Sequence, residues 1–278
     1  MRKTPRILTA VVIPVLALLA ACSSGGGTAA SVQTIEPGTL KVCLYPGFAP
    51  FASQQDGTWV GWDVEYLQSF ADQLGLTMEP VNAPEFKNIW MRPGDGECDI
   101  AGTGITMLDS RREQTGADTG WTTKYYNVAR SFAVRSGSTV DGIKDLAGKT
   151  VIVTKNSTAD IDLTSRLAKA GISNTTIEYT DNEADAAQRV AQAGPDGPYA
   201  YGGGAGSVEA LAKEIPNLTT TWIHCMMLPD GTVSAEPFGF AVRAQSTGVL
   251  ETLNAFIENP DNRYPGGPGS GVDCPTGD

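Results

Sequence analysis

The sequence predicts an α/β fold built on a parallel sheet, on three observations. Short apolar runs suited to strands alternate with stretches of helical periodicity from about residue 40 to residue 258. Turn signals such as Gly75, Gly94, Gly96 and Gly194-Pro195 punctuate them. About 240 residues follow the polar N-terminal stretch, enough for two ordinary domains or one large one.

Residues 40–45 read as the first strand, followed by a loop over 46–55 and a hairpin through Asp56-Gly57 into Thr58-Trp59-Val60. Asp63 is placed to cap a helix in which Val64, Leu67, Phe70, Ala71 and Leu74 share one face, and Gly75 ends it. Residues 76–81 suit a second strand, and a helix around 86–90 leads to a third strand at 99–102. A second series opens after a strand at 132–134. It predicts strands at 150–153, 175–179, 199–201 and 219–225, alternating with helices within 159–170, 183–192 and 207–214. A strand at 238–242 and a helix at 249–257 close the pattern, and the Gly- and Pro-rich tail from Asn259 reads as irregular.

The N-terminus has another character. Arg2, Lys3 and Arg6 precede an apolar run over residues 7–20 that is short for a membrane span of about 20 apolar residues. The pattern is that of a signal peptide over 1–21. Leu19-Ala20-Ala21-Cys22 resembles the lipobox of bacterial lipoproteins, which implies a lipid anchor on Cys22 and a place at the extracytoplasmic face of the cell membrane. Ser23-Ser24-Gly25-Gly26-Gly27 opens a polar tether over 22–37. The competing reading is an ordinary secretory signal with an incidental cysteine.

Removing residues 1–21 moves the formal net charge from −11 to −14, because three positive charges leave. That balance argues against nucleic acid as a partner, which needs clustered Lys and Arg. After Cys22 come Cys43, Cys98, Cys225 and Cys274, an even number in an oxidising compartment, so two disulfides are expected among three possible pairings. With one histidine, His224, and no C-x-x-C, no metal site is expected. No P-loop or dinucleotide fingerprint occurs and no cofactor is expected.

The motifs Ala49-Pro50-Phe51, Gly61-Trp62-Asp63-Val64, Cys98 through Arg111, and Leu146-Ala147-Gly148-Lys149-Thr150-Val151 stand in a fixed order. In that order the chain resembles the family 3 extracellular solute-binding proteins, which serve ABC importers of polar amino acids. The resemblance implies two α/β lobes around a hinged cleft, the type II periplasmic binding fold: lobe 1 over 38–131 plus 237–278, and lobe 2 over 132–236. It implies reversible binding of a small polar solute, with an ABC permease as membrane partner, and no catalysis. It also places the first and third strands side by side, implying the disulfides Cys43–Cys98 and Cys225–Cys274.

Arg111 matches the family arginine that grips the solute's α-carboxylate, and a guanidinium fork suits that task better than a lysine. Thr103, the Gly104 backbone and Thr106, in the turn after the third strand, are implied to meet the polar end of the solute. Ser157 and Thr158, at a helix start, would hold the same carboxylate through unsatisfied amides; a plain N-cap is the competing reading. Phe48 and Phe86 are implied to sandwich the solute's side chain, with Glu85 beside them. Trp59, Trp62, Trp90, Trp121, Tyr125 and Tyr126 read as packing residues.

Two departures bear on the ligand. Gly203 stands where the family has an aspartate for the α-ammonium, with Asp196 and Glu209 as possible substitutes, and Tyr45 stands where some members have an acid for cationic side chains. An uncharged polar side chain is therefore favoured over a cationic one. Relatives of the same fold with prephenate or arogenate dehydratase activity offer an enzymatic alternative, for which Glu85 is the candidate acid. A ligand-sensing partner of a membrane receptor is a third possibility.

Overall fold

Alternation of apolar side chains decides which face each strand buries. A computed structural model describes residues 32–266, which belong to one compact unit. The segment 1–21 expected to be a signal peptide, Cys22 and Cys274 lie outside the described residues. In chain order the strands are β1 Thr39–Leu44, β2 Gly47–Phe48, β3 Ala52–Gln55, β4 Thr58–Val60, β5 Thr77–Asn82, β6 Ile100–Ala101, β7 Thr119–Trp121, β8 Tyr126–Val128 and β9 Arg130–Arg135. They continue with β10 Thr150–Thr154, β11 Thr176–Thr180, β12 Ala200–Gly204, β13 Leu218–His224, β14 Met226–Met227, β15 Val233–Ser234, β16 Glu236–Phe238 and β17 Ala241–Arg243. The helices are α1 Trp62–Leu74, α2 Asp109–Thr115, α3 Thr158–Lys169, α4 Glu183–Ala191, α5 Ala205–Glu214 and α6 Val249–Glu258.

Two five-stranded sheets result, in the orders β5-β1-β6-β17-β7 and β11-β10-β12-β9-β13. In the first, β1 runs parallel to both β5 and β6. In the second, β10 runs parallel to β11 and β12, while β9 is antiparallel to β12 and β13. The sheets are therefore mixed rather than wholly parallel. A separate antiparallel pair, β8 with β16, carries the chain between them. In β10, Val151 and Val153 face the core that holds Leu163 and Leu167 of α3, while Ile152 faces Ala186 and Val190 of α4 and Val208 of α5. Helices thus cover both faces, as strands buried on two sides require.

Cys43 and Cys98 form the expected disulfide, with Cα atoms 5.7 Å apart and a sequence separation of 55. Closing a loop of that length stabilises the fold by about 4 kcal/mol in the chain-entropy account. Cys225 is also disulfide-bonded.

Several expectations are corrected. Asp63 does not cap α1; Gly61 holds the N-cap position and Asp63 is buried inside the first turn. The helix expected over 86–90 is a short 3₁₀ turn, Ile89–Met91, because Asn88 before it is left-handed at φ 61°. The strand expected over 238–242 is interrupted between β16 and β17. The end of the tether is tied down, with Gln33 N donating to Thr247 O at 2.9 Å and Ile35 N to Asp99 Oδ1 at 2.8 Å. The start of the tail is anchored by buried Tyr264.

Candidate functional site

Arg111 lies on α2 and is only 3% exposed. Its guanidinium carbon sits 4.2 Å from the centre of the Trp90 ring and 5.6 Å from that of Phe86. Trp90 is itself tied to α2 by a 3.1 Å bond from Nε1 to Gln114 Oε1. Arg111 Nη1 donates to Thr106 O at 3.0 Å, and Nη2 has no hydrogen-bond partner. Burial pulls the Arg111 pKa down to about 9, opposed by the charge of Glu236 and reinforced by that of Arg130. A cation with one free donor is the chemistry of an anion site.

The turn after β6 is organised from below by Asp63. Its Oδ2 accepts from Thr103 N and Gly104 N, each at 2.7 Å, and from the Tyr125 hydroxyl at 3.0 Å, while Oδ1 accepts from the Tyr264 hydroxyl at 2.6 Å. The Thr103 hydroxyl accepts from Tyr45 N at 3.0 Å. The main-chain N–H groups of Thr103 and Gly104 are thus used to build the turn, whereas the Thr103 hydroxyl, an acceptor here, keeps its own hydrogen to donate. Burial raises the Asp63 pKa, against the hydrogen bonds that favour its ionised form.

Glu236, on β16 and fully buried, joins Thr106 to α3. Its Oε2 accepts from Thr106 Oγ1 at 3.2 Å, and the Thr158 side chain hydrogen-bonds its carboxyl group. Arg130 Nε lies 2.5 Å from Oε1 as a buried ion pair. Burial raises the Glu236 pKa, against the pull of Arg130 and Thr158. Ser157 behaves as an N-cap, its Oγ accepting from Asp160 N at 3.3 Å. On α3, Asp162 binds Arg166 Nε at 2.9 Å, His224 Nε2 at 2.8 Å and Met227 N at 2.7 Å, pinning the segment around Cys225.

Across the two sheets, Tyr45 donates from its hydroxyl to Asp181 O, and Ser207 Oγ stands 2.8 Å from Ala49 O and 2.5 Å from Glu183 Oε2. A hydroxyl carries one hydrogen. When Glu183 is protonated it can donate to Ser207, which is then free to donate to Ala49; when ionised, it competes for that hydrogen. Burial raises the Glu183 pKa to about 7, against hydrogen bonds from Ser207 and Tyr201 and the charge of Arg130. A carboxyl with a raised folded-state pKa contributes stability that is complete below its ordinary value of 4.5 and lost as pH rises through about 7. The melting temperature is therefore expected to fall between pH 5 and pH 8, with Glu236 acting in the same sense. Glu183→Gln should flatten that decline, as measured by circular dichroism; an unchanged slope would refute the link.

Phe48 and Phe86 are stacked, with centroids 5.1 Å apart and planes at 17°. A side chain between two rings needs about 7 Å, two contact distances, so the expected sandwich is corrected: the pair forms one wall. Beside it lies a cavity of about 490 Å³ whose lining includes Tyr45, Glu85, Phe86, Lys155, Tyr179 and Asp181. Exposed Glu85 thus stands at the cleft rather than on its floor. A second space of about 660 Å³ is bordered by Met107, Leu108, Ile161, Leu228 and Pro237.

The profile of the bacterial extracellular solute-binding proteins, family 3, matches residues 40–262. The chain belongs to that family. The L-arginine-binding protein of Pseudomonas aeruginosa is 22% identical over 79% of this chain and 81% of its own length. A stretch of 130 residues is 26% identical to membrane-bound lytic murein transglycosylase F 1 of Alkalilimnicola ehrlichii, covering 46% of this chain but 25% of that enzyme. Among solved structures, an ancestral arginine-binding protein bound to arginine superposes with a TM-score of 0.65 at 24% identity, over 80% of this chain and 91% of that one, a likeness in fold.

Within this solute-binding family member, Gly203 has a structural reason. A Cβ there would come 3.0 Å from the Tyr201 hydroxyl and 3.1 Å from Val208 Cγ2, so an aspartate does not fit without displacing them. Asp196 and Glu209 do not substitute, since both are exposed and Glu209 pairs with Lys213 at 3.0 Å. Sequence reasoning missed Glu236, Arg130 and Glu183, and read Trp90 only as packing. Arg130 and Glu236 lie in or beside the two crossing strands, the one signal that could have drawn attention to them.

Proposed function

We propose that this protein is the extracytoplasmic solute-binding component of an ABC importer, capturing a free amino acid between two lobes and presenting it to a membrane permease. The observation that carries this reading is Arg111, a buried guanidinium with an unpartnered nitrogen, set against Thr106 and facing the Glu236 region in a family of solute-binding proteins. The lobes divide at 38–131 plus 237–278 and at 132–236, with β8 and β16 as hinge strands. Tyr45 supplies no charge for a cationic side chain and its hydroxyl is already bonded to Asp181 O, which favours an uncharged polar side chain. Exposed Glu85 lacks the buried setting that suits a general acid, so binding is preferred to dehydration.

A thermal-shift screen of delipidated protein against amino acids, simple carboxylates and polyamines tests the reading. Saturation at one hundred times Kd stabilises by about 2.7 kcal/mol. Selective response to a polyamine would sink it. The lipid anchor on Cys22 is a separate proposal. Wild type is expected in the detergent phase on partitioning and Cys22→Ser in the aqueous phase; wholly aqueous behaviour of both would end it.

A further inference from the structure

Ser207 Oγ stands 2.8 Å from Ala49 O and 2.5 Å from Glu183 Oε2, and a hydroxyl has one hydrogen to give. Ala49 belongs to the segment assigned above to lobe 1, and Ser207 and Glu183 belong to lobe 2. The main-chain carbonyl can only accept. Which neighbour Ser207 serves therefore depends on the carboxyl. With its proton, Glu183 donates to Ser207, and Ser207 donates across to Ala49 O. Without it, two pure acceptors compete for one hydrogen, and one of them is left unserved inside the protein, an arrangement that buried groups tolerate poorly.

The lobes are in main-chain contact at this point. Tyr45 donates from its hydroxyl to Asp181 O, and a Cβ on Gly47 would run into the same oxygen, so glycine lets the 45–49 segment lie against the 181–183 turn. Glu183 and Ser207 are each 1% exposed. Facing the Glu183 carboxyl are Ser207 from α5, the Tyr201 hydroxyl from β12 and the charge of Arg130 from β9. From lobe 1 comes Tyr45, which feels the charges of Asp181, Glu183 and Glu85. Arg130 and the two hydroxyls favour the ionised form, burial favours the neutral one, and burial prevails, raising the pKa from 4.5 to about 7. Parting the lobes removes the cover that lobe 1 supplies and lets water reach the carboxyl, which lowers that value.

Resting on the two-lobe solute-binding reading above, we propose that Glu183 and Ser207 form a proton-operated latch: protonated Glu183 holds Ser207 on Ala49 O and the cleft closed, so that closure on a solute takes up a proton. A carboxyl whose pKa is higher in the closed form than in the open one adds to affinity fully below its open-form value. That contribution fades as pH rises through the closed-form value near 7. Solute is then held most tightly in acidic surroundings and given up more readily in neutral or alkaline ones.

Isothermal titration of the delipidated chain with L-amino acids at pH 5 selects the tightest binder among those whose side chain does not titrate between pH 5 and pH 8. For wild type its Kd is expected to rise roughly tenfold from pH 5 to pH 8, the effect of a closed-form pKa about one unit above the open-form one. Titrations at pH 6.5 in buffers of different ionisation enthalpy should show uptake of roughly half a proton per solute bound. Glu183→Gln offers Ser207 a permanent donor, so its affinity should stay within about threefold of acidic wild type at both pH values, without proton uptake. Ser207→Ala removes the hydrogen that bridges the lobes and should weaken binding at pH 5 by roughly threefold to tenfold; wild-type affinity there overturns the latch even if Glu183→Gln does not fold. A flat wild-type Kd, or the wild-type pH dependence and proton uptake retained in Glu183→Gln, overturns the latch and leaves solute binding standing. If no amino acid binds, the solute reading fails and small-angle scattering of the ligand-free chain tests the latch. Wild type more compact at pH 5 than at pH 8, with Glu183→Gln compact at both, supports it; equal radii of gyration for the two proteins at each pH overturn it.

Discussion

Replacing Asp63 by alanine is expected to cost at least about 4 kcal/mol of folding stability, because four buried donors lose their acceptor at roughly 1–3 kcal/mol each. Two are the main-chain N–H groups of Thr103 and Gly104, and two are the hydroxyls of Tyr125 and Tyr264. Against a total stability of about 5–15 kcal/mol, that loss takes most of the margin. Asp63→Asn is not a mild alternative, since an amide turns an N–H₂ group toward donors on one side. Tyr264→Phe removes one bond and should cost about 1.5–3 kcal/mol, the range for a hydrogen bond to a charged group. Denaturant midpoints would rank the series. An Asp63→Ala protein within about 1 kcal/mol of wild type would show that the turn before Thr106 holds itself.

How far the residues announced this arrangement depends on the range of the contact. The helical face of α1 was readable because Val64, Leu67, Phe70 and Ala71 recur at helical spacing, and all four are buried. Asp63 was misread for the complementary reason. An acid at a helix start looks like a local cap, whereas its partners lie about 40 positions away, in the turn after β6. Glu236 was harder still. Between Ala235 and Pro237 it has the local pattern of an exposed loop acid, and its burial depends on Thr106, 130 positions earlier, and on Arg130. The Phe86 region lost its helix to the backbone of Asn88, which no apolar periodicity reveals. Resemblance singles out Arg111 but not its stacking on Trp90, since that tryptophan fits a packing pattern equally well.

Arg111→Ala is expected to weaken amino-acid binding by about 2–5 kcal/mol, at least tenfold at about 1.4 kcal/mol per decade. At neutral pH the group remains charged, since burial lowers its pKa only to about 9. Its Nη1 is committed to Thr106 O while Nη2 is open, so an incoming carboxylate completes the guanidinium instead of displacing a native contact. Truncation should therefore act on affinity more than on the fold. The ligand-free protein loses one hydrogen bond and the contact with Trp90, worth about 0.5–2 kcal/mol, but is also relieved of a buried donor without a partner. Arg111→Lys should not restore wild-type affinity, because an ammonium is a point charge without the planar fork. Titration calorimetry and melting of both variants separate the two effects. A large drop in ligand-free melting temperature with affinity within about threefold of wild type would make Arg111 a strut for α2 and remove it from the site.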